Sequence, residues 1–169
     1  MKFQQSLVFE YPPEITQKYL TDEKALAYIQ EHHPELSGIE VLEDREEGGK
    51  RMVTMKYTSD VNLPGPIKKV IGGGASQSIV MKLTVDLKSF AGTMEMKPSQ
   101  MADKIKISGK TFMEKQGNRW IQHMDGDATV SIFGVGKMIE KFLVEKIQNS
   151  SSTETRLRND YLRKIHEKA

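Results

Sequence analysis

The chain has 169 residues, of which 37% are hydrophobic and 28% charged, and these proportions suit one ordinary globular domain over residues 1–169. It has no cysteine, which excludes disulfides and thiolate chemistry and indicates a reducing, cytoplasmic location, and its N-terminus lacks the apolar core of a signal peptide. No apolar run approaches the roughly 18 residues of a membrane span, and a net charge of +2 argues against a nucleic-acid partner.

The first third of the chain predicts a strand, two short helices and a hairpin. Apolar residues alternate in each strand, Pro12 and Pro13 end the first one, and Asp22 is a suitable N-cap for the second helix. Gly48 and Gly49 form the hairpin turn. The predicted elements are Lys2–Tyr11, Glu14–Leu20, Glu23–Glu31, Ser37–Glu47 and Lys50–Val61.

The middle of the chain predicts four further strands after a break in the pattern. Pro64 begins the break, Ile67–Ile71 is long enough for one helical turn, and Gly72–Gly74 ends it. The strands are Ser78–Ser89, Gly92–Pro98, Lys104–Lys115 and Asn118–Ile132. Sequential strands with short turns favour an antiparallel sheet, and helices segregated from them favour an α+β fold.

The last fifth of the chain predicts one long helix, from about Val135 to Ala169. Its apolar residues recur at spacings of three and four, the period of one helical face: Ile139, Phe142, Leu143, Ile147, Leu157, Tyr161 and Ile165. The stripe pauses at Ser150–Ser152, as suits a helix that spans a hollow. No other segment carries enough apolar surface to cover the sheet, so we expect the helix on its concave side.

The order of these elements resembles the helix-grip fold of the START-like (SRPBCC) superfamily, which includes polyketide cyclases. Four motifs carry the resemblance: Phe3-x5-Phe9-x-Tyr11-Pro12, Asn62–Ile67, Val130–Phe133 and Gly134–Glu140. The chain is most similar to a START-like family of unknown function. The resemblance implies a curved seven-stranded antiparallel sheet around the C-terminal helix, with an apolar cavity between them. The superfamily contains carriers and enzymes, so the fold leaves function open.

Methionine is unusually frequent, with 10 residues, and six of them fall on strand faces that we assign inward. Methionine adapts to irregular apolar shapes, so this set suits either the lining of a ligand cavity or the filling of a core. We predict that the lining includes Met55, Met81, Leu83, Met94, Met96, Met113, Trp120, Met124, Phe142 and Ile147.

Several polar residues share the inward parity of these strands or of the helix. A buried hydroxyl or amide needs a hydrogen-bond partner, which is either the polar head of a ligand or the backbone and water. The residues are Tyr57, Ser59, Thr111, Gln122, Ser150 and Ser151. Ile67, Val70 and Ile71, with the following glycines, form either a lid over the cavity or a plain connection.

No motif in the sequence indicates a catalytic residue, a metal or a cofactor. His123, Asp125 and Asp127 share one strand face, but their parity is opposite to that of the inward residues, so we expect them in solvent. The stretch around Gly136 lacks the serine or threonine of a phosphate-binding loop. His32 and His33 end a helix, where we expect a cation to suit the helix C-terminus.

Charged residues are unevenly distributed along the chain. Residues 1–49 hold 4 Lys/Arg and 11 Asp/Glu, whereas residues 50–133 hold 13 Lys/Arg and 7 Asp/Glu. This pattern suits either solvated faces or transient contact with a membrane surface. We predict the binding of an apolar small molecule, such as a lipid, an isoprenoid or a polyketide-like compound. Two alternatives stay open: a cyclase- or hydratase-type enzyme with the same cavity, and a module that binds a protein or membrane surface. No pattern indicates an oligomeric state.

Overall fold

The fold consists of a seven-stranded sheet and four helices in a computed structural model, which describes residues 1–60, 62–71 and 76–167. Predictions for Val61, Gly72–Gly74 and the last two residues lie outside this range. The strands are β1 (Lys2–Phe9), β2 (Leu36–Glu47), β3 (Lys50–Asp60), β4 (Ser76–Asp86), β5 (Gly92–Pro98), β6 (Ile105–Gln116) and β7 (Arg119–Val130). The helices are α1 (Pro13–Lys18), α2 (Glu23–His32), α3 (Gly65–Ile71) and α4 (Gly136–Glu167).

The described strands form one antiparallel sheet in the order β1-β7-β6-β5-β4-β3-β2. Consecutive strands from β2 to β7 pair with one another, α3 lies in the connection from β3 to β4, and β1 pairs with β7 at the other side of the sheet. The register sets Met81 opposite both Met55 and Met96, so these methionines share one face. The predicted α+β fold, with an antiparallel seven-stranded sheet, a long C-terminal helix and short helices after the first strand, is confirmed.

The connections between strands meet at two opposite ends of the sheet. The turns that join β2 to β3, β4 to β5 and β6 to β7 lie at one end, which we call the hairpin end. Helix α3 and segments 99–104 and 131–135 lie at the other, the α3 end. Segments 99–104 and 131–135 are neighbours, because the Ser131 N–H donates to the Lys104 carbonyl at 2.8 Å.

Two hydrophobic clusters hold the helices against the sheet. The larger one joins β1, β5, β6 and β7 to α3 and to the first half of α4, with Ile139 and Ile147 among its buried residues. The smaller one places Leu26 and Ile29 of α2 and Leu157 of α4 over β3. The serines at 150–152 fall between the two clusters, which explains why the apolar stripe of α4 pauses there.

Helix α4 is fastened to the free edge of β1 by amide side chains. Gln148 donates to the Gln4 carbonyl at 3.1 Å, and Asn159 donates to the Val8 carbonyl at 2.9 Å. Asn159 also accepts from the Glu10 N–H at 3.1 Å. The close backbone contacts of α4 are therefore concentrated on β1, β7 and α2, and the central strands are left less closely covered.

No described helix combines the length with the apolar character that a membrane crossing requires. The expected cytoplasmic location stays a prediction.

We expect Asn159→Ala to destabilise the fold by about 2–3 kcal/mol, because the buried Asn159 amide makes two hydrogen bonds and its loss leaves the Val8 carbonyl and the Glu10 N–H without this partner. Urea unfolding followed by circular dichroism measures the change. Asn149→Ala is the matched control, since Asn149 lies exposed on the same helix, and it should change stability by less than about 0.5 kcal/mol. Equal effects of the two substitutions would contradict the attachment of α4 to β1.

Candidate functional site

Two adjoining chambers lie between the sheet and α4. The first, of about 170 Å³, lies toward the α3 end and is lined by Leu63, Ile79, Ile105 and Phe142, among others. The second, of about 130 Å³, lies toward the hairpin end and is lined by Leu7, Leu83, Met94 and Met113, among others. Residues from four elements line both chambers and form the boundary between them: Tyr57, Met81, Met96, Ser151 and Glu154.

The structure brings most of the predicted lining residues together around these chambers. Those in the first chamber are Tyr57, Met81, Met96, Phe142, Ile147 and Ser150. Those in the second are Tyr57, Met81, Leu83, Met94, Met96, Thr111, Met113, Gln122 and Met124. Five of the six inward methionines are thus around the hollow, and contact with a ligand stays a prediction for all of them.

Met55 and Trp120 lie outside both chambers, contrary to the predicted lining. Met55 is fully buried beneath α2, in the cluster with Leu26 and Ile29. Trp120 is half-buried near the hairpin end, where the Lys115 ammonium lies 5.5 Å from the centre of its ring. Strand parity assigned the face correctly for Met55, but the helix that covers this part of the face cannot be deduced from parity.

The predicted lid is largely a part of the core. Ile67 is 1% exposed and lies in the larger cluster, and Val70 packs beside it. Ile71 alone of the three lines the first chamber. Whether α3 moves to admit a ligand stays a prediction.

A buried carboxylate and guanidinium occupy the boundary between the chambers. Glu154 Oε1 accepts from the Tyr57 hydroxyl at 3.1 Å and from Arg158 Nη2 at 2.8 Å and Nε at 3.2 Å. Arg158 Nη1 donates to the carbonyls of Tyr19 and Leu20 at 3.4 and 3.3 Å. Within the described part of the chain, Glu154 Oε2 makes no hydrogen bond, and the residue faces both chambers.

Burial and neighbouring charges raise the pKa values of Tyr57 and Arg158 in this group. Burial raises the pKa of the Tyr57 hydroxyl far above its ordinary value, and the negative charge of Glu154 raises it further. Burial opposes the charge on Arg158, but the Glu154 carboxylate and Tyr57 outweigh this effect and keep the Arg158 pKa above its ordinary value. At neutral pH the chambers therefore share an ion pair, a neutral phenol and one open carboxylate oxygen.

Sequence analysis missed Glu154 and Arg158, although a signal was present. Ile147, Ser151, Glu154 and Arg158 follow one another at spacings of four, three and four, so the two charged residues continue the apolar face of α4. Strand parity gives no information about these two residues, because they lie on a helix.

His33 is buried at the end of α2 and is held by two hydrogen bonds. It is 5% exposed, and its Nδ1 accepts from the Glu35 N–H at 3.2 Å. Its Nε2 lies 3.3 Å from the Ser150 hydroxyl. Beside it, Lys146 and Glu35 form a salt bridge of 2.7 Å along the first chamber.

His123, Asp125 and Asp127 lie on the outer face of the sheet, as expected. His123 contacts Glu114 at 2.7 Å, and this hydrogen bond lowers the Glu114 pKa. Asp125 accepts from Gln4 at 2.8 Å. The described residues hold no cluster of three or more side chains suited to a metal ion.

Residues 4–162 match a protein family that is described as a protein of unknown function, DUF2505. The chain belongs to this family. No curated protein is similar enough in sequence to count as a relative.

Solved structures with the same fold span nearly the whole DUF2505 chain. TTHA0849 from Thermus thermophilus has a TM-score of 0.66 at 13% identity, over 98% of this chain and 99% of that chain. The Zhui aromatase/cyclase from Streptomyces has a TM-score of 0.60 at 12% sequence identity, over 98% of this chain and 96% of that chain. A START superfamily protein from Mycobacterium smegmatis has a TM-score of 0.55 at 14% identity, over 92% of this chain and 96% of that chain. The predicted resemblance to START-like helix-grip proteins is confirmed at the level of fold.

We expect Glu154→Leu to destabilise this DUF2505 protein by about 3 kcal/mol, because it leaves the Arg158 charge buried and unpaired. The double variant Glu154→Leu/Arg158→Met should be closer to the wild type than Glu154→Leu alone, since it removes both charges. Urea unfolding of the single and double variants measures this coupling. Additive losses would show that the two side chains do not act as a pair.

Proposed function

We propose that this protein binds an apolar small molecule in the two chambers between the sheet and α4. The observation that carries the proposal is the set of five methionines around a hollow that contains one buried ion pair. Flexible thioether side chains adapt to irregular apolar shapes, and each ligand CH₂ removed from water contributes about 0.8 kcal/mol. Lipids, isoprenoids and polyketide-like compounds have this chemistry.

The polar group between the chambers indicates which end of such a ligand would be recognised. Arg158 and Tyr57 direct their hydrogen bonds to Glu154 Oε1, so Oε2 is the remaining acceptor on this carboxylate. A ligand hydroxyl can donate to it, whereas an ionised carboxylate would face a like charge. The proposed ligand is therefore an apolar alcohol and not a fatty-acid anion.

An enzyme of the cyclase or hydratase type is the second candidate, because Glu154 places a carboxylate inside the cavity. One protein with this fold is an aromatase/cyclase. In the present arrangement both neighbours of Glu154 donate hydrogen bonds to it, and burial keeps the Tyr57 pKa too high for proton release near neutral pH. These contacts support binding and orientation of a ligand ahead of proton transfer.

Ser151→Phe should weaken the binding of the apolar dye N-phenylnaphthylamine by about tenfold or more, because a phenyl ring would fill the space where the chambers meet. Dye fluorescence during titration measures this. Asn149→Phe, which adds the same ring at an exposed position of α4, should bind the dye like the wild type. If Ser151→Phe binds the dye like the wild type, the dye binds outside the chambers. Native mass spectrometry of the gently purified protein is a second test, and the absence of any co-purified apolar compound would count against the proposal.

Dodecanol should displace the dye at about tenfold lower concentration than dodecanoate, since a hydrogen bond to a charged group contributes about 1.5–3 kcal/mol. Glu154→Gln removes the negative charge and should narrow this preference. Glu145→Gln changes the same residue type at an exposed position of α4 and should preserve it. Tighter binding of dodecanoate by the wild type would refute the assignment of the headgroup.

A further inference from the structure

The α3 end of the molecule presents a fully exposed aromatic side chain. Phe133, in the segment between β7 and α4, has an exposed fraction of 104%, and Met138 on the first turn of α4 has 45%. Single exposed apolar residues are common, but a phenylalanine without any covering contact loses the whole benefit of burial. Its neighbours Ile132 and Val135 pack against the core, so the backbone holds Phe133 outward.

Five lysines lie at the α3 end, two on α3, one on segment 99–104 and two on the first two turns of α4. They are exposed, and none makes a salt bridge with a described residue: Lys68, Lys69, Lys104, Lys137 and Lys141. The acids at this end are fewer: Asp60 ends β3, Asp103 lies in segment 99–104, Glu35 pairs with Lys146, and α4 contributes Glu140. Glu140 is mostly buried and accepts from the Val130 N–H at 3.0 Å, so it offsets little of this positive charge at the surface.

The hairpin end carries no such excess of positive charge. Its strand ends and turns hold six acids and six cations: Glu43, Asp44, Glu46, Glu47, Asp86 and Glu114, and Arg45, Lys50, Arg51, Lys88, Lys115 and Arg119. The unpaired positive charge is therefore concentrated at the α3 end. In the field of a negative surface, such a molecule turns its α3 end toward that surface.

We infer that the α3 end docks on an anionic lipid surface, with the Phe133 ring at headgroup depth and the five lysines against the lipid phosphates. A lipid surface suits these observations because it accepts one aromatic ring and scattered cations without a matched partner shape. The first chamber lies directly behind this end, between α3 and Phe142. Docking rests on surface residues alone and does not depend on the proposed ligand.

Sedimentation with vesicles tests the inference. The full chain should bind vesicles of 70% phosphatidylcholine and 30% phosphatidylserine at low salt, bind pure phosphatidylcholine weakly, and dissociate in 0.5 M NaCl. Lys137→Gln/Lys141→Gln should weaken binding by about 30-fold, taking about 1 kcal/mol per lysine and tenfold per 1.4 kcal/mol. Phe133→Ala should weaken it by about tenfold, because the inserted ring is lost.

Matched substitutions away from the α3 end serve as controls. Phe112→Ala removes another exposed phenylalanine, from the outer face of β6, and Lys50→Gln/Lys88→Gln removes two exposed lysines at the hairpin end. Both should bind vesicles like the wild type. In Phe133→Trp, tryptophan emission should shift to shorter wavelength when anionic vesicles are added, and the wild type, with Trp120 alone, should show no such shift.

Failure of the wild type to bind anionic vesicles at low salt would overturn the inference, as would equal losses in the α3-end and control variants. Vesicle binding is measured without any apolar ligand. A variant such as Ser151→Phe should therefore keep vesicle binding while losing the dye, which separates the failure of one proposal from that of the other. If binding is sensitive to salt but equal in the wild type and Phe133→Ala, the contact is electrostatic only, and the proposed insertion of the Phe133 ring is refuted.

Discussion

The attachment of α4 to the free edge of β1 is the constraint on which the interior depends. An edge strand presents unpaired backbone groups, and Gln148 and Asn159 bond to those of β1. A helix whose close backbone contacts lie on β1, β7 and α2 leaves the central strands less closely covered. Space therefore remains over the central strands, and Met81 and Met96 line it.

The ion pair between Glu154 and Arg158 gives this apolar hollow a fixed polar position. Removing two charges from water is costly, and well-packed apolar residues often serve stability as well as or better than a buried ion pair. Stability alone therefore does not require this pair, and its position beside the chambers supports the proposed role in orienting a ligand. Tyr57 completes the arrangement and leaves one carboxylate oxygen directed to the space where a ligand would lie.

The exposed lysines and Phe133 lie at the end of the molecule at which the first chamber is found. This placement follows from connectivity, because an antiparallel sheet sends alternate connections to opposite ends. Lysines that are distant from one another in the sequence are thereby brought to one end of the folded molecule.

Alternation, turn residues and the helical period determined the order of the elements, since these patterns report the direction of a side chain relative to its own strand or helix. Most of the strand residues that were predicted to line a cavity lie around the chambers, because they share the inward parity of their strands. Only the tertiary structure decided that Met55 lies beneath α2 and that Glu154 and Arg158 face inward. Which neighbour covers a given face depends on contacts between residues distant in sequence, and periodicity within one element carries no information about them.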